Sequence, residues 1–142
     1  MAAMTVRDKN AIVDQERANR FPQMIEVYAR ALGVVMMVIG LRQWAIILGV
    51  ITVHGMTFET MPTPWQLATM HLAVVDLVAS VGLWMRAAWG NVIWIYAALS
   101  EIVLHTVFAG TFRNNILVVA FHLITITGFI VLHFLARRGD AK

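Results

Sequence analysis

This sequence predicts an all-α membrane fold, a four-helix transmembrane bundle running up, down, up and down, and three observations lead to it. Four apolar runs, at about 31–53, 65–85, 90–112 and 115–136, each approach or exceed the ~20 residues a helix needs to cross a ~30 Å hydrocarbon core. Charged residues are 13% of the chain, against about 25% in an ordinary soluble domain, and hydrophobic residues are 60%. The basic residues alternate by side: Arg7, Lys9, Arg17, Arg20 and Arg30 precede the first span, Arg86 lies in the middle turn, and Arg137, Arg138 and Lys142 follow the last. The opposite side holds Arg113 alone, so both termini are expected in the cytoplasm.

The same numbers exclude several classes of function. In 142 residues, four spans leave no room for a second domain. With no cysteine, disulfides, thiolate metal sites and iron–sulfur clusters are ruled out. A net charge of +3 is spread by membrane side and not gathered on one soluble face, which argues against nucleic acid. No cleavable signal is read, because the first apolar run is too long and lacks a small-residue cleavage site. Walker, dinucleotide-binding, nucleophile-elbow and paired-histidine zinc motifs are all missing, so no catalytic residue and no metal site is assigned.

Residues 1–22 read as a cytoplasmic segment with a short helix: Thr5 stands three before Asp8, and Asp14/Arg17 and Glu16/Arg20 have helical spacing. Pro22 is expected to end that element and open the next. Residues 23–138 form the membrane domain, with helices expected at 23–53, 64–86, 89–111 and 114–137, and 139–142 are a tail. HGMTFETMPTP makes the first outer loop, with Gly and Pro but no Lys or Arg. Trp65 reads as an outer interface anchor, and Trp84 and Trp89 as inner ones. The short turn from Met85 to Gly90 forces the second and third helices to be antiparallel neighbours. GTFRNN makes the second outer turn.

Polar residues inside the spans carry whatever function the chain has. Counted at 1.5 Å per residue from the expected outer helix ends, Arg42, Asp76 and Glu101 fall roughly 14–18 Å deep, and His71, His105 and His122 roughly 7–10 Å deep. Each ionised group at the bilayer centre costs about 2.5–3.5 kcal/mol, so the three charges are expected to meet in the interior, with Gln43 beside them. Thr69, Ala73, Asp76 and Ser80 make one small and polar stripe, and Ala97, Glu101, His105 and Ala109 another. Arg42 would neutralise one acid, leaving the second protonated or paired with a histidine, and His105 is one turn from Glu101. The cluster reads equally as a proton relay, a polar ligand pocket or structural glue. His71, His105 and His122 are the candidate cofactor-binding residues, since a b-type haem needs two imidazoles facing across a gap. On the last helix His122, Thr125, Phe129 and His133 share a face, with Thr125 expected to bond back to its own helix.

The run VDLVASVGLW, a short turn, and a helix ending ALSEIVLH resemble the DoxX-like superfamily of small four-helix membrane proteins. Asp76, Gly82, Leu83 and His105 carry that resemblance, with Asp in place of the usual Glu. Upstream, RALGVVMMVIGLRQW is similar to that superfamily's first helix at Arg30, Gly33, Gly40 and Leu41, with Gln43 where lysine is common. The chain also resembles small four-span inner-membrane proteins of alphaproteobacteria. The resemblance implies a multi-pass protein of the bacterial inner membrane, surrounded by the lipid bilayer and by other membrane subunits or copies of itself. It implies an accessory or cofactor-holding subunit of a larger complex, possible ligands being a quinone or a b-type haem, and not an enzyme by itself. A purely structural partner and a small proton-coupled transporter are the alternatives.

Overall fold

The computed structural model describes residues 6–112 and 115–139 and is all-helical. Expectations resting on Thr5, Arg113 and Lys142, and on the Asp14/Arg17 and Glu16/Arg20 side chains, lie outside the described residues. Five α-helices follow one another: α1 Val6–Ile47, α2 Thr63–Trp84, α3 Ala88–Thr106, α4 Ala109–Phe112 and α5 Ile116–Gly139. Among the described residues three helical stretches, Gln23–Ile47, Thr63–Trp84 and Ile116–Arg137, are long and apolar enough to cross a membrane, the mark of a membrane protein. The 19-residue α3 carries Asn91, Glu101 and His105 and is not among them.

In place of a short helix ending at Pro22, α1 is one element of 42 residues with Pro22 inside it. Proline removes one backbone hydrogen bond from a helix interior, at about 3 kcal/mol, so good helix formers on both sides must carry the turn. At its other end α1 stops six residues earlier than expected. Gly49 adopts φ 73°, and its N–H reaches the Ile46 carbonyl while Val50 N–H reaches that of Ala45, at 3.0 and 2.9 Å. This pair of bonds is a Schellman cap, which a left-handed glycine closes without a Cβ clash.

The segment from Leu48 to Pro62 is folded back on itself. Val53 and Met56 exchange both backbone hydrogen bonds across His54 and Gly55, whose φ values of 53° and 77° fit a type I′ turn. A 3₁₀ turn at Phe58–Thr60 follows. The Gln66 amide donates to the carbonyls of Phe58 and Met61 at 3.0 and 3.1 Å, pinning the segment onto the start of α2. Trp65 Nε1–H donates to the Thr111 carbonyl at 2.8 Å, so the same corner also holds α4. At α5, the Asn115 side chain accepts the Leu117 N–H at 3.2 Å, an N-cap.

The helices close into a ring: α1 packs on α2, α2 on α3, α3 on α5 and α5 back on α1. Small residues bring the backbones together. On α1, Gly33 faces Ser80 and Leu83 of α2, and Gly40 faces Leu77. Trp44 Nε1–H, one turn beyond, donates to the Ala73 carbonyl at 3.2 Å. Between α2 and α3 the approach is closer: a Cβ on Gly82 would stand 2.4 Å from the Gly90 Cα, and a Cβ on Gly90 2.2 Å from the Gly82 carbonyl carbon. Such contacts stand in for the hydrophobic drive that helices lack inside lipid. α5 is joined to α1 by the Tyr28 hydroxyl, which donates to the Thr125 carbonyl beside Gly128.

Leu32, Met36, Ala79, Leu83, Trp94 and Ala97 make the apolar centre, with Phe129 edge-on to Trp94 at 5.5 Å. Large apolar side chains such as Val27, Leu48, Val92, Leu117 and Ile124 point outward, as a lipid surround requires. At the turn between α2 and α3, Arg86 and Arg30 both pair with Glu26, at 3.0 and 2.8 Å, and Arg30 lies 5.9 Å from the Trp84 ring centroid.

Candidate functional site

Earlier helix ends change the depths of the intramembrane polar residues. Arg42 is five residues from the end of α1, Glu101 five from the end of α3, and His122 six from the start of α5. At 1.5 Å per residue all three lie about 7–9 Å below the helix ends, as does Thr69 on α2. Asp76, thirteen residues into α2, is about 20 Å down. The single layer of Arg42, Asp76 and Glu101 is therefore split. Arg42 and Glu101 join the level of His122, and Asp76 remains below; the expected histidine layer is split as well, with His105 one residue from the end of α3 and His71 eight residues into α2, about 12 Å down.

At the upper level Glu101 meets a histidine from another helix. His122 Nε2 and Glu101 Oε2 are 3.0 Å apart, and both side chains are nearly inaccessible to solvent. His105, the expected partner one turn along, instead donates Nδ1–H to the Glu101 backbone carbonyl at 2.9 Å. That bond fixes its tautomer when neutral, so Nε2 is left as an acceptor. Arg42 forms no ion pair with either acid among the described residues, and its side chain is exposed. Its length and its place near the helix end let the guanidinium reach the mouth of the bundle, where it is one of the residues lining a cavity.

Above the Glu101–His122 pair is a cavity of about 470 Å³, enclosed by α1, α2, α3, the start of α5 and the 48–62 segment. Arg42, Gln43, His54, Thr69, Glu101 and His105 supply most of its polar lining, while Ile39, Leu72 and Leu104 supply apolar wall. A half-apolar pocket with a few converging polar groups has the character of a small-molecule site. Gln43 and His105, named from the sequence, are thus brought together with Arg42 and Glu101 at one cavity.

His71 and Asp76 are not part of its lining. The His71 ring stands edge-on to Tyr96 at 5.6 Å, and His122 engages Glu101 through Nε2. Of the three candidate histidines, His105 alone reaches the cavity, so the set does not present the two opposed imidazoles of a b-type haem. Among the described residues no group of three or more His, Asp or Glu is placed to hold a metal ion. Further along α5, Thr125 Oγ1 donates to the Phe121 and His122 carbonyls at 3.0 Å each, the back-bond its position predicts. His133 is exposed beside Phe129, with ring centroids 4.9 Å apart.

Asp76 is completely buried, and neither carboxyl oxygen has a hydrogen-bond partner among the described residues. Trp94 Nε1, Glu101 Oε1 and His122 Nδ1 share that condition. An orphaned buried polar group costs about 1–3 kcal/mol. Asp76→Val is accordingly expected to raise resistance to unfolding in detergent, by about 1 kcal/mol or more. A loss of stability on that substitution would mean that the carboxyl is held by a bond of its own.

Two residues important to this geometry escape sequence inspection. Trp44 reads as one more interface aromatic, and nothing local marks its bond to Ala73. Asn115 carries a legible signal, an N-cap residue before an apolar run, but not its place on the cavity wall.

A family described as a family of unknown function, DUF6163, matches residues 23–140. The chain belongs to this family. Comparisons with curated proteins and with solved structures give no match. The DUF6163 region holds every residue of the cavity, the Glu101–His122 pair and Asp76, while the first turns of α1 precede it. Whatever the family does, the described polar site lies inside the part of the chain that defines it.

Proposed function

We propose that this DUF6163 protein is a small accessory subunit of a larger inner-membrane assembly that holds a polar-headed ligand or cofactor between its helices. On this reading α1, α2, α3 and α5 cross the bacterial inner membrane up, down, up and down as a DoxX-like bundle. Both termini are then cytoplasmic, and the 48–62 segment faces outward. The basic cluster of Arg30 and Arg86 at the opposite end supports that orientation. α3, the least membrane-like span, would be flanked by α2 and α5, with Glu101 turned inward.

The observation that carries the proposal is the cavity. It is large enough for a small head group, it reaches about one to two turns below the helix ends, and Ile39, Ile46, Leu72, Leu104 and Val118 give it apolar wall. Donors on α1, Arg42 and Gln43, and acceptors on α3 line it together, a set that a quinone head, among neutral ligands, would use. Redox linkage to partner subunits would follow from such a ligand, since the chain itself has no cysteine.

The test is extraction of the protein purified in mild detergent from native membrane, followed by mass spectrometry of what it releases. A stoichiometric small molecule is expected from the wild type and is expected to fall at least fivefold in Ala68→Phe, which places a ring in the cavity wall. Equal, substoichiometric release from both would leave the cavity as packing only.

A further inference from the structure

Resting on the reading of this cavity as a ligand site, we infer that the head group it takes is an oxyanion that keeps at least one O–H, such as a partly protonated phosphate, and that Arg42 binds it.

Arg42 is the starting point. It lies within a helical stretch long and apolar enough to span a membrane, it lines the cavity, and it pairs with no acid among the described residues. The acid nearest in depth, Glu101, turns its Oε2 to His122. Although Glu101 lines the same cavity, no carboxylate lies within ion-pair distance of this guanidinium among the described residues, and its planar fork matches the oxygens of a carboxylate or phosphate. Gln43, the next residue on α1, and Asn115 at the N-cap of α5 add neutral amide donors to the same wall. With Arg42 they make a donor-rich set.

Acceptors join the same lining: Glu101, whose Oε1 has no partner among the described residues, and His105. His105 commits Nδ1–H to the Glu101 carbonyl, so its neutral ring offers Nε2 as a lone pair on the cavity wall. A fully deprotonated anion has nothing to give that nitrogen. An oxyanion retaining a hydroxyl proton satisfies both sets together: oxygens towards Arg42 and Gln43, and O–H towards His105. A neutral quinone accepts from Arg42 but leaves its charge unanswered, which is why an anion is favoured over it. Apolar Ile39, Leu72 and Leu104 leave room for a lipid's first carbons behind the head, so the anion has two sources, a phospholipid head group or free phosphate.

Because the native chain has no cysteine, a single introduced thiol reports occupancy of the cavity. In the Thr69→Cys variant, delipidated in detergent, the rate of modification by a small neutral maleimide is followed as inorganic phosphate, a short-chain phosphatidic acid or a short-tail quinone is added. Either phosphate compound is expected to slow the reaction at least fivefold, and which of them acts at the lower concentration tells lipid from free ion. Protection is expected to vanish with an added Arg42→Gln and to persist in part with Arg42→Lys, each variant first shown to keep its helical content and elution volume. Protection by phosphate that survives Arg42→Gln overturns the inference, and so does protection by the quinone alone. In that last case the ligand-holding reading stands, whereas no protection by any of the three defeats both.

Discussion

Gly82→Ala and Gly90→Ala are each expected to destabilise the folded protein by about 3 kcal/mol. The added methyl on Gly82 would lie 2.4 Å from the Gly90 Cα and 2.6 Å from the Trp89 ring, and that on Gly90 2.6 Å from the Gly82 oxygen. Backbone cannot rotate aside as a flexible side chain can, so α2 and α3 must separate. Eight residues apart and joined by a short turn, the two helices can separate only by levering the whole hairpin open. That lever would displace Glu101 from His122 at its far end. Gly110→Ala is the control, since its methyl would meet nothing within 4 Å. Unfolding in detergent, followed by circular dichroism on heating, should show both hairpin variants melting well below the wild type and the control unchanged. A wild-type melting curve for Gly82→Ala would mean that the close crossing is absent.

The second large effect concerns Glu101 and His122. Removing one partner of a buried hydrogen-bonded pair leaves the other with its desolvation penalty uncompensated. Glu101→Leu and His122→Leu are each expected to cost about 1–3 kcal/mol. Together they are expected to cost less than the sum, because no polar group is then left behind. The sign of that coupling is the informative quantity, and it is read from a double-mutant cycle on the same melting curves. Additive losses would show that the two side chains do not bond. Asp76→Val, with the opposite expected sign, separates an acid that is held from one that is not.

Much of the helical layout is legible in the sequence, and the reasons are local. Apolar runs bounded by Pro62, Met85 to Gly90 and Asn115 place α2, α3 and α5 within a few residues. Helix ends were the weak point. Gly49 ends α1 in the structure, whereas in the sequence the apolar run LGVITV continues past it and masks the stop. Pro22 was a readable break, and the helix continues through it regardless. Those two ends matter more than their length suggests, because each residue of error moves a polar side chain by 1.5 Å in depth. Six residues at the end of α1 were enough to put Arg42 on the wrong level. Partners were harder still. Spacing along one helix favoured His105 for Glu101, whereas the bond to His122 depends on which faces of α3 and α5 meet, and periodicity alone does not set that rotation.

The central claim, that a polar cavity reaches the Glu101 level between the helices, is tested most directly by thiol accessibility in intact membranes. Thr69→Cys and Ala79→Cys place one thiol each on α2, the first on the cavity wall and the second in the apolar centre. A small membrane-impermeant sulfonate-bearing thiol reagent is expected to modify the Thr69→Cys protein from one side of the membrane only, the side of the 48–62 segment, and to leave the Ala79→Cys protein unmodified. Equal inertness of both thiols, with both modified after denaturation, would contradict the account.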